Sequence, residues 1–225
     1  MNKAPTQALP SELNCEQIEA LQAADWDKGQ GLLPAIVQHA RTGQVLMQAF
    51  LSPAALTQTL NSGWVTFYSR SRQALWTKGE TSGNRLGLVS IQLDCDQDSF
   101  LIQALPQGPV CHTGAETCWD QGHLGQAPHG VGFIAELAEI IQQRASSDDD
   151  NSYTAHLLKK GIARIAQKVG EEGVETALAA VTESDEALIG ESADLIYHLL
   201  VLLQARGIPV EAVTAELSKR HQQSR

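Results

Sequence analysis

Long apolar runs are absent from this 225-residue sequence. The stretch ALIGESADLIYHLLVLL is interrupted by Glu191 and Asp194, so it is too polar to cross a bilayer. The N-terminal stretch, MNKAPTQALPSELNCEQ, has no apolar segment of the length found in signal peptides. We therefore expect a cytoplasmic protein with no membrane partner.

Positive charge and cysteine are also scarce. The chain has 16 Lys and Arg against 26 Asp and Glu, and this net charge of −10 disfavours a nucleic-acid partner. A small anionic substrate is still compatible, because divalent cations can bring it to an acidic site. The four cysteines are Cys15, Cys95, Cys111 and Cys118. In a reducing compartment, cysteines favour metal binding or catalysis over disulfides.

The first half of the chain has the pattern of β-strands. Short β-branched or aromatic segments, bounded by Gly, Asn, Ser or Asp, occupy 32–38, 44–50, 64–68, 85–93 and 100–104. Residues 41–43 predict a hairpin turn. Residues 52–60 predict one helix, with Ser52 as its N-cap and Pro53 at its first position.

The second half has helical periodicity. Apolar residues recur at three- and four-residue spacing over 133–143, 155–180, 186–205 and 210–220. Residues 120–132 contain four glycines and one proline, which is a linker composition. We expect an α+β N-terminal domain rich in β-strands (1–131), followed by an all-α C-terminal domain (132–225).

Three aspartates, Asp94, Asp96 and Asp98, follow the strand predicted at 85–93. Strand alternation places Ser90, Gln92 and Asp94 on one face and Val89, Ile91, Leu93 and Cys95 on the other. If the backbone stays extended, Asp96 and Asp98 join the first face. Carboxylates suit Mg²⁺ or Ca²⁺, whereas thiolates suit Zn²⁺, so the two residue types need not share an ion.

Cys95, Cys111 and Cys118 form a C-x15-C-x6-C pattern with His112 beside the second thiol. Three cysteines with one open coordination position would make a catalytic zinc site that supplies hydroxide at neutral pH. His112 could move the proton. The alternatives are a plain acidic turn, cysteines that serve as small apolar residues, and a structural histidine.

Residues 76–84, WTKGETSGN, combine two glycines, hydroxyl groups and a lysine. This composition suits a loop that cradles a phosphate, and Arg70 and Arg72 just upstream add two guanidinium groups. A polar hairpin loop is equally compatible with it. The candidate substrate-binding residues here are Arg70, Arg72, Trp76, Lys78, Gly79, Glu80, Thr81, Ser82, Gly83 and Asn84.

Residues 24–119 closely resemble phosphoribosyl-AMP cyclohydrolase. The resemblance rests on GLLPAIVQHA, SRSR, LWTKGETSGN, DCDQD and GPVCHTG with the cysteine that follows. It implies that the three cysteines bind Zn²⁺ at a homodimer interface, one of them supplied by the partner chain, and that the three aspartates bind Mg²⁺. It also implies opening of the adenine ring at N1–C6 by zinc-activated water, for which His112 is our candidate general acid/base.

Five carboxylates recur at helical spacing in the second half: Glu171, Glu172, Glu175, Glu191 and Asp194. Residues three or four apart share a helix face, and charges in an otherwise apolar helix are rarely buried unless they are paired or metal-bound. Two such helices together would form a carboxylate cage for Mg²⁺. Ion pairing with Lys168 and His198 is the alternative, and a solvated helix face is a further alternative for the first three.

Residues 133–221 resemble phosphoribosyl-ATP pyrophosphohydrolase, an all-α NTP pyrophosphatase. The resemblance rests on SYT, GIARIAQKVGEEGVETALAA and ESADLIYHLLVLL. It implies that the carboxylates hold Mg²⁺, that Lys168 contributes to substrate binding, and that phosphoribosyl-ATP is cleaved to phosphoribosyl-AMP and pyrophosphate.

The two resemblances support each other, because the product of the second domain is the substrate of the first. The order of the domains is that of bifunctional enzymes of histidine biosynthesis. Two rival functions are a general NTP pyrophosphatase with an accessory zinc domain and a zinc-stabilised binding module without activity. Residues 76–84, and His112 beside the cysteines, argue against both.

Overall fold

The computed structural model describes residues 15–120, 130–146 and 152–223. The chain divides into two compact units, Met1–Pro128 and His129–Arg225. Strands dominate the described part of the first unit, whereas the described part of the second is helical. This confirms the predicted fold class.

The described part of the first unit contains two helices and six strands. In chain order they are α1 (Cys15–Gln22), β1 (Leu33–His39), β2 (Val45–Leu51), α2 (Pro53–Ser62), β3 (Thr66–Ser69), β4 (Ala74–Thr77), β5 (Leu86–Leu93) and β6 (Phe100–Pro106). A four-stranded sheet has the order β2-β1-β6-β5, and β3 and β4 form a separate pair. Only the central pair, β1 and β6, is parallel.

Local sequence accounts for the first connections. The hairpin predicted at 41–43 joins antiparallel β1 and β2, and Gly43 there has a φ of 74° that favours glycine. Helix α2 begins where predicted, because the Ser52 hydroxyl accepts a hydrogen bond from the Ala55 N–H (3.2 Å). It ends at Gly63, with φ 72°, whose N–H donates to the Thr59 carbonyl.

Two features of the first unit differ from the sequence predictions. Strand β4 pairs with β3, with Phe67 opposite Trp76, although Trp76 was placed in a loop. In β5 the pairing register shifts between Leu88 and Ser90. This bulge leaves Val89 exposed, so the predicted alternation that placed Val89 with Ile91 is wrong.

The core of the first unit lies between the sheet, α2 and the β3–β4 pair. Its fully buried large side chains are Leu33, Val37, Leu46, Leu51, Leu56, Val65, Phe67, Leu86, Phe100 and Ile102. Trp26 packs on Phe100 with ring centroids 5.6 Å apart, which fixes the segment before β1 against the sheet.

Over residues 130–146 and 152–223, the second unit contains five helices: α3 (Gly132–Ala145), α4 (Tyr153–Lys159), α5 (Ile162–Thr182), α6 (Asp185–Ala205) and α7 (Val210–Gln223). The continuous helix predicted over 155–180 is wrong, because Gly161 adopts φ 86° and separates α4 from α5. Ser152 and Ser184 cap the N-termini of α4 and α6 through their hydroxyl groups.

Helices α5 and α6 pack together along much of their lengths, and this contact positions the carboxylates of the second unit. The buried core cluster of this unit consists of Ile141, Leu157, Ile165, Leu200 and Val201. Within the described segments, none of the helices has the length and apolarity needed to cross a membrane.

Candidate functional site

The three aspartates lie together in a turn directly after β5. Asp94 Oδ1 accepts hydrogen bonds from the N–H groups of Asp98 (3.0 Å) and Ser99 (3.1 Å). Gln97 has φ 64°, so the backbone does not stay extended over these residues. The turn nevertheless places one carboxylate oxygen from each of Asp94, Asp96 and Asp98 within 4.8 Å of the others. Such a group of oxygens could hold a hard cation.

Lys28 contacts this turn, and the sequence analysis did not identify it. Its Nζ donates to the Asp96 carbonyl (2.8 Å), to Asp96 Oδ2 (3.2 Å) and to Asp98 Oδ2 (3.3 Å). These contacts, with Asp96 first, raise the pKa of Lys28, and Lys28 in turn lowers the pKa of Asp96. No sequence spacing could reveal the contact, because it depends on the fold bringing together residues 68 and 70 positions apart.

Two of the three cysteine thiols of the pattern, Cys111 and Cys118, lie close enough for each to affect the pKa of the other. Hydrogen bonds from the Thr113 side chain and backbone are the main cause of a lowered pKa at Cys111, which favours the thiolate. Burial, and next the charge of Cys111, raise the pKa of Cys118, whereas the charge of Lys78 lowers it. His112 Nδ1 lies 3.8 Å from Cys111 Sγ.

Cys118 is anchored to the sheet by its backbone and by its neighbour. Its N–H donates to the Leu46 carbonyl on β2 (2.8 Å). The Thr117 hydroxyl donates to the carbonyls of Val45 (2.7 Å) and Leu46 (3.1 Å). Thr117 is therefore a positioning residue for the second thiol, and the sequence pattern gave no indication of it.

Cys95 does not complete a three-ligand group with the other two thiols. It is exposed in the aspartate turn. Within the described segments, the groups of three or more possible ligands are two carboxylate groups, and neither includes a cysteine. One chain thus brings together Cys111 and Cys118 without Cys95.

The candidate phosphate loop is a structured connection between β4 and β5. Gly79 has φ 78°, and a Cβ there would lie 2.3 Å from the Asn84 backbone. The Thr77 N–H donates to Glu80 Oε2 (3.2 Å), which braces the first turn. Lys78 is buried, whereas Glu80, Thr81, Ser82 and Gly83 are exposed. This loop therefore offers a preformed backbone with an exposed polar rim.

The remaining candidates of the first unit lie beside aromatic rings or in solvent. Arg70 stacks over the Phe50 ring with its Cζ 3.9 Å from the centroid, and Lys78 Nζ lies 5.9 Å from the Trp76 ring centroid. Arg72 is exposed.

In the second unit, Glu172 and Glu175 of α5 meet Glu191 of α6. One carboxylate oxygen from each lies within 4.8 Å of the others, and Glu172 is only 4% exposed. Burial first, and then the charges of Glu175 and Glu172, raise the pKa of Glu191. The repulsion felt by Glu191 indicates that negative charge exceeds positive charge around this carboxylate, as in a cation-binding group. The predicted ligands Glu171 and Asp194 lie outside this group.

Lys168 pairs with the carboxylates on its own helix. Its Nζ lies 2.6 Å from Glu172 Oε1 and 3.1 Å from Glu171 Oε2. These hydrogen bonds, with Glu172 first, raise the pKa of Lys168, and Lys168 is the main cause of a lowered pKa at both glutamates. Arg164 Nη1 (3.5 Å) and Gln167 Nε2 (2.8 Å) also contact Glu171 Oε1. Glu171 is thus held away from the three-carboxylate group.

His198 connects the glutamates to α4. Its Nδ1 lies 2.9 Å from the Asp194 carbonyl and 3.6 Å from Glu172 Oε1, and its Nε2 lies 3.3 Å from the Tyr153 hydroxyl. Both ion-pairing partners named as the alternative, Lys168 and His198, therefore lie at Glu172. Glu175 and Glu191 extend the same site beyond these pairs.

The strand-rich and helical units, each with a site of this kind, define a two-domain enzyme. Residues 47–120 match the phosphoribosyl-AMP cyclohydrolase family, and residues 134–221 match the phosphoribosyl-ATP pyrophosphohydrolase family. The chain is thus a bifunctional enzyme with both domains in the predicted order.

Curated relatives match nearly the whole chain. The histidine biosynthesis bifunctional proteins HisIE of Shewanella oneidensis and Escherichia coli K12 are both 52% identical, over 89% and 88% of this chain and 92% and 95% of their own lengths. That of Xanthomonas axonopodis pv. citri is 52% identical over 91% of this chain and 96% of its own length. The chain belongs to the HisIE family, which confirms the identification made from the motifs.

Proposed function

We propose that this protein carries out the second and third steps of L-histidine biosynthesis in the cytoplasm. The C-terminal domain (132–225) hydrolyses phosphoribosyl-ATP to phosphoribosyl-AMP and pyrophosphate. The N-terminal domain (1–131) then opens the adenine ring at N1–C6, which gives the formimino-carboxamide ribonucleotide. The observation that carries the proposal is the separation of the chemistry: an aspartate turn and a thiol pair lie in one unit, and a carboxylate group in the other.

The donor atoms fit two kinds of ion. Thiols suit Zn²⁺, and the lowered pKa of Cys111 favours the thiolate that zinc requires. The carboxylate groups at Asp94 and at Glu191 offer only hard oxygen ligands, which suit Mg²⁺. When bound, zinc lowers the pKa of a water molecule, and magnesium neutralises phosphate charge.

The residues of the chain supply positioning and proton transfer. In ring opening, water adds to C6, the N1–C6 bond breaks, and N1 gains a proton. His112, exposed beside the thiols, would accept a proton from water and deliver it to N1. Arg70, Lys78 and the backbone of residues 79–84 are our candidates for binding the anionic ribose phosphates.

In the helical domain, water attacks an α- or β-phosphorus and the bond between these two phosphates breaks. Glu172, held by Lys168, and Glu175 and Glu191 would position the cation that binds the phosphates. Lys168 is also our candidate for direct contact with the substrate. Glu171 and Asp194 remain predicted magnesium ligands that lie outside the three-carboxylate group.

A homodimer would complete the zinc site. Cys95 does not join Cys111 and Cys118 within one chain, which supports a third thiolate supplied by the partner chain. To test this, Cys95→Ser and Cys111→Ser chains are mixed after mild dissociation. Random pairing should restore about a quarter of the ring-opening activity, because half of the dimers would carry one intact site. If the mixture stays inactive while it exchanges subunits, all three ligands belong to one chain.

The decisive experiment supplies phosphoribosyl-ATP and identifies the products by mass spectrometry. Cys111→Ser should release pyrophosphate and accumulate phosphoribosyl-AMP, with loss of bound zinc by elemental analysis. Glu175→Gln should lower pyrophosphate release by about 10²-fold or more yet still open the ring of added phosphoribosyl-AMP.

Matched controls exist on the chain. Cys15→Ser lies outside the zinc pattern, and Glu136→Gln changes an exposed glutamate on α3. Both should retain both activities. If either test variant stays folded but loses both reactions, a single composite site must replace the two-site proposal.

A further inference from the structure

Lys28 is held in a defined position beside the aspartate turn. Its N–H donates to Asp25 Oδ1 (3.3 Å), and the Asp25 N–H donates to the Gln97 carbonyl within the aspartate turn (2.8 Å). The neighbouring Trp26 packs on Phe100 of β6. The segment that carries Lys28 is therefore attached to the turn at two places, through its backbone and through the lysine side chain.

The oxygens that Lys28 contacts belong to two of the candidate cation ligands. Its ammonium group reaches one carboxylate oxygen of Asp96 and one of Asp98, together with the Asp96 carbonyl. A divalent cation at the turn would require carboxylate oxygens from the same two residues. The Lys28 ammonium group and a divalent cation cannot both bind the same carboxylate oxygens at full strength. When the divalent cation binds, Lys28 must therefore move away or remain nearby as a repelling positive charge.

The ion pairs of Lys28 contribute little to the folding stability of the protein. The side chains of Lys28, Asp96 and Asp98 are 43%, 62% and 37% exposed. Ion pairs as exposed as these contribute little to folding, because water and salt screen them. The contact therefore has its main physical effect on the charge of the turn: three carboxylates and one ammonium leave two negative charges.

We propose that Lys28 sets the divalent-cation affinity of the aspartate turn by competing for the oxygens of Asp96 and Asp98. The proposal rests on the magnesium site of the proposed function and adds a residue that none of the motifs contains. Lys28 keeps the affinity low enough for the ion to exchange. The concentration of free Mg²⁺ at which ring opening reaches half its maximum is then determined in part by this lysine.

The test measures Mn²⁺ binding to the full-length zinc-loaded protein by electron paramagnetic resonance, with Mg²⁺ as the competitor. Lys28→Met removes the charge at similar side-chain length and should tighten Mn²⁺ binding at the turn by about tenfold. This magnitude is the repulsion expected between the singly charged ammonium group and a doubly charged cation a few ångströms apart in screened water. Lys28→Arg keeps the charge and should remain within about twofold of wild type. The half-saturating Mg²⁺ concentration for ring opening should fall in parallel for Lys28→Met alone.

Two controls isolate the turn from the glutamate group of the other unit. Asp96→Asn with Asp98→Asn should remove one class of Mn²⁺ site, and adding Lys28→Met to that pair should then change nothing. Lys219→Met, an exposed lysine on α7, removes the same charge from the chain and should leave binding unaltered.

The outcomes separate this proposal from the proposed function. If the double asparagine variant binds as much Mn²⁺ as wild type, the aspartate turn is not the cation site and both proposals fail there. If it loses a site but Lys28→Met binds Mn²⁺ equally or more weakly, the magnesium site stands and competition by Lys28 is refuted. Thermal melting of Lys28→Met within about 2 °C of wild type establishes that the comparison is between folded proteins.

Discussion

Replacing Lys168 by methionine should destabilise the helical unit far more than other lysine replacements. Lys168 Nζ lies 2.6 Å from Glu172 Oε1, and the glutamate side chain is only 5% exposed. Methionine keeps most of the apolar stem but removes the ammonium group. The Glu172 carboxylate is then buried with His198 Nδ1, at 3.6 Å, as a remaining ion-pairing partner.

The magnitude follows from the cost of a stranded buried charge. Removing one partner of a buried pair costs about 3–5 kcal/mol. The lysine side chain is 21% exposed, so water reaches part of the site and the expected loss is about 2–3 kcal/mol. For a unit of this size, such a loss corresponds to a melting temperature lower by roughly 10–20 °C.

The assay is thermal and urea unfolding of the full chain, followed by circular dichroism at a helix band without added Mg²⁺. Lys160→Met, an exposed lysine at the end of α4, is the matched control and should shift the free energy of unfolding by less than about 0.5 kcal/mol. Adding Glu172→Gln to Lys168→Met removes the stranded charge and should recover part of the loss. The reasoning is refuted if Lys168→Met unfolds like Lys160→Met, or if the double variant is less stable than Lys168→Met.

The same pair predicts a pH window for the effect. The pKa of Glu172 is lowered in the folded protein, so its contribution is present above the unfolded value of about 4.3 and disappears as pH falls through the folded pKa. The pKa of Lys168 is raised, so its contribution is present below the unfolded value of about 10.4 and disappears as pH rises through the folded pKa. The stability difference between wild type and the double variant should therefore be largest between those limits.

Two further predictions concern the remaining sites. Burial and the charges of Glu175 and Glu172 raise the pKa of Glu191, so Glu191→Gln should raise the melting temperature without Mg²⁺ by about 2 °C. The substitution should also abolish the further rise in melting temperature that Mg²⁺ gives wild type. A Glu191→Gln protein that keeps the Mg²⁺ response would contradict the role of Glu191 as a ligand. Gly79→Ala should destabilise the first unit by about 2–4 kcal/mol, because the new Cβ would lie 2.3 Å from the Asn84 backbone. Gly83→Ala should cost only about 1 kcal/mol, because Gly83 has φ 82° but open space around it. Equal losses of stability in chemical denaturation would contradict this ranking.

Local signals in the sequence predicted the features that depend on neighbouring residues. The cap of α2 needs only Ser52 and Pro53, and the first hairpin needs only residues 41–43 with Gly43 in a left-handed conformation. The change of periodicity near residue 132 likewise separated strands from helices before any contact was known. These features follow from local physical chemistry, which a short window of sequence contains.

Features that depend on tertiary contacts were missed or wrongly placed. Strand β4 looks like a polar loop, and it is a strand because it pairs with β3. The bulge beside Val89 follows from the register with β6, which alternation cannot reveal. Lys28 lies in a loop without any metal-ligand pattern. Packing of Trp26 on Phe100, together with the hydrogen bond from the Asp25 N–H to the Gln97 carbonyl, brings it to the aspartates.

The two carboxylate sites resolve like-charge repulsion in a similar way, although their backbones differ. In the turn, Lys28 contacts Asp96 and Asp98; on the helices, Lys168 contacts Glu172 of the three-carboxylate group and also Glu171 outside it. In the turn, three carboxylates less one ammonium group leave two negative charges, which one divalent cation neutralises. On the helices the carboxylates likewise outnumber the ammonium group and leave a net negative charge. The two lysine side chains differ in burial: that of Lys28 is 43% exposed, whereas that of Lys168 is 21% exposed. We therefore expect Lys28 to act mainly on cation affinity and Lys168 to act mainly on the position of Glu172. Lys28→Met should mainly tighten cation binding in the first unit, whereas Lys168→Met should mainly destabilise the second unit.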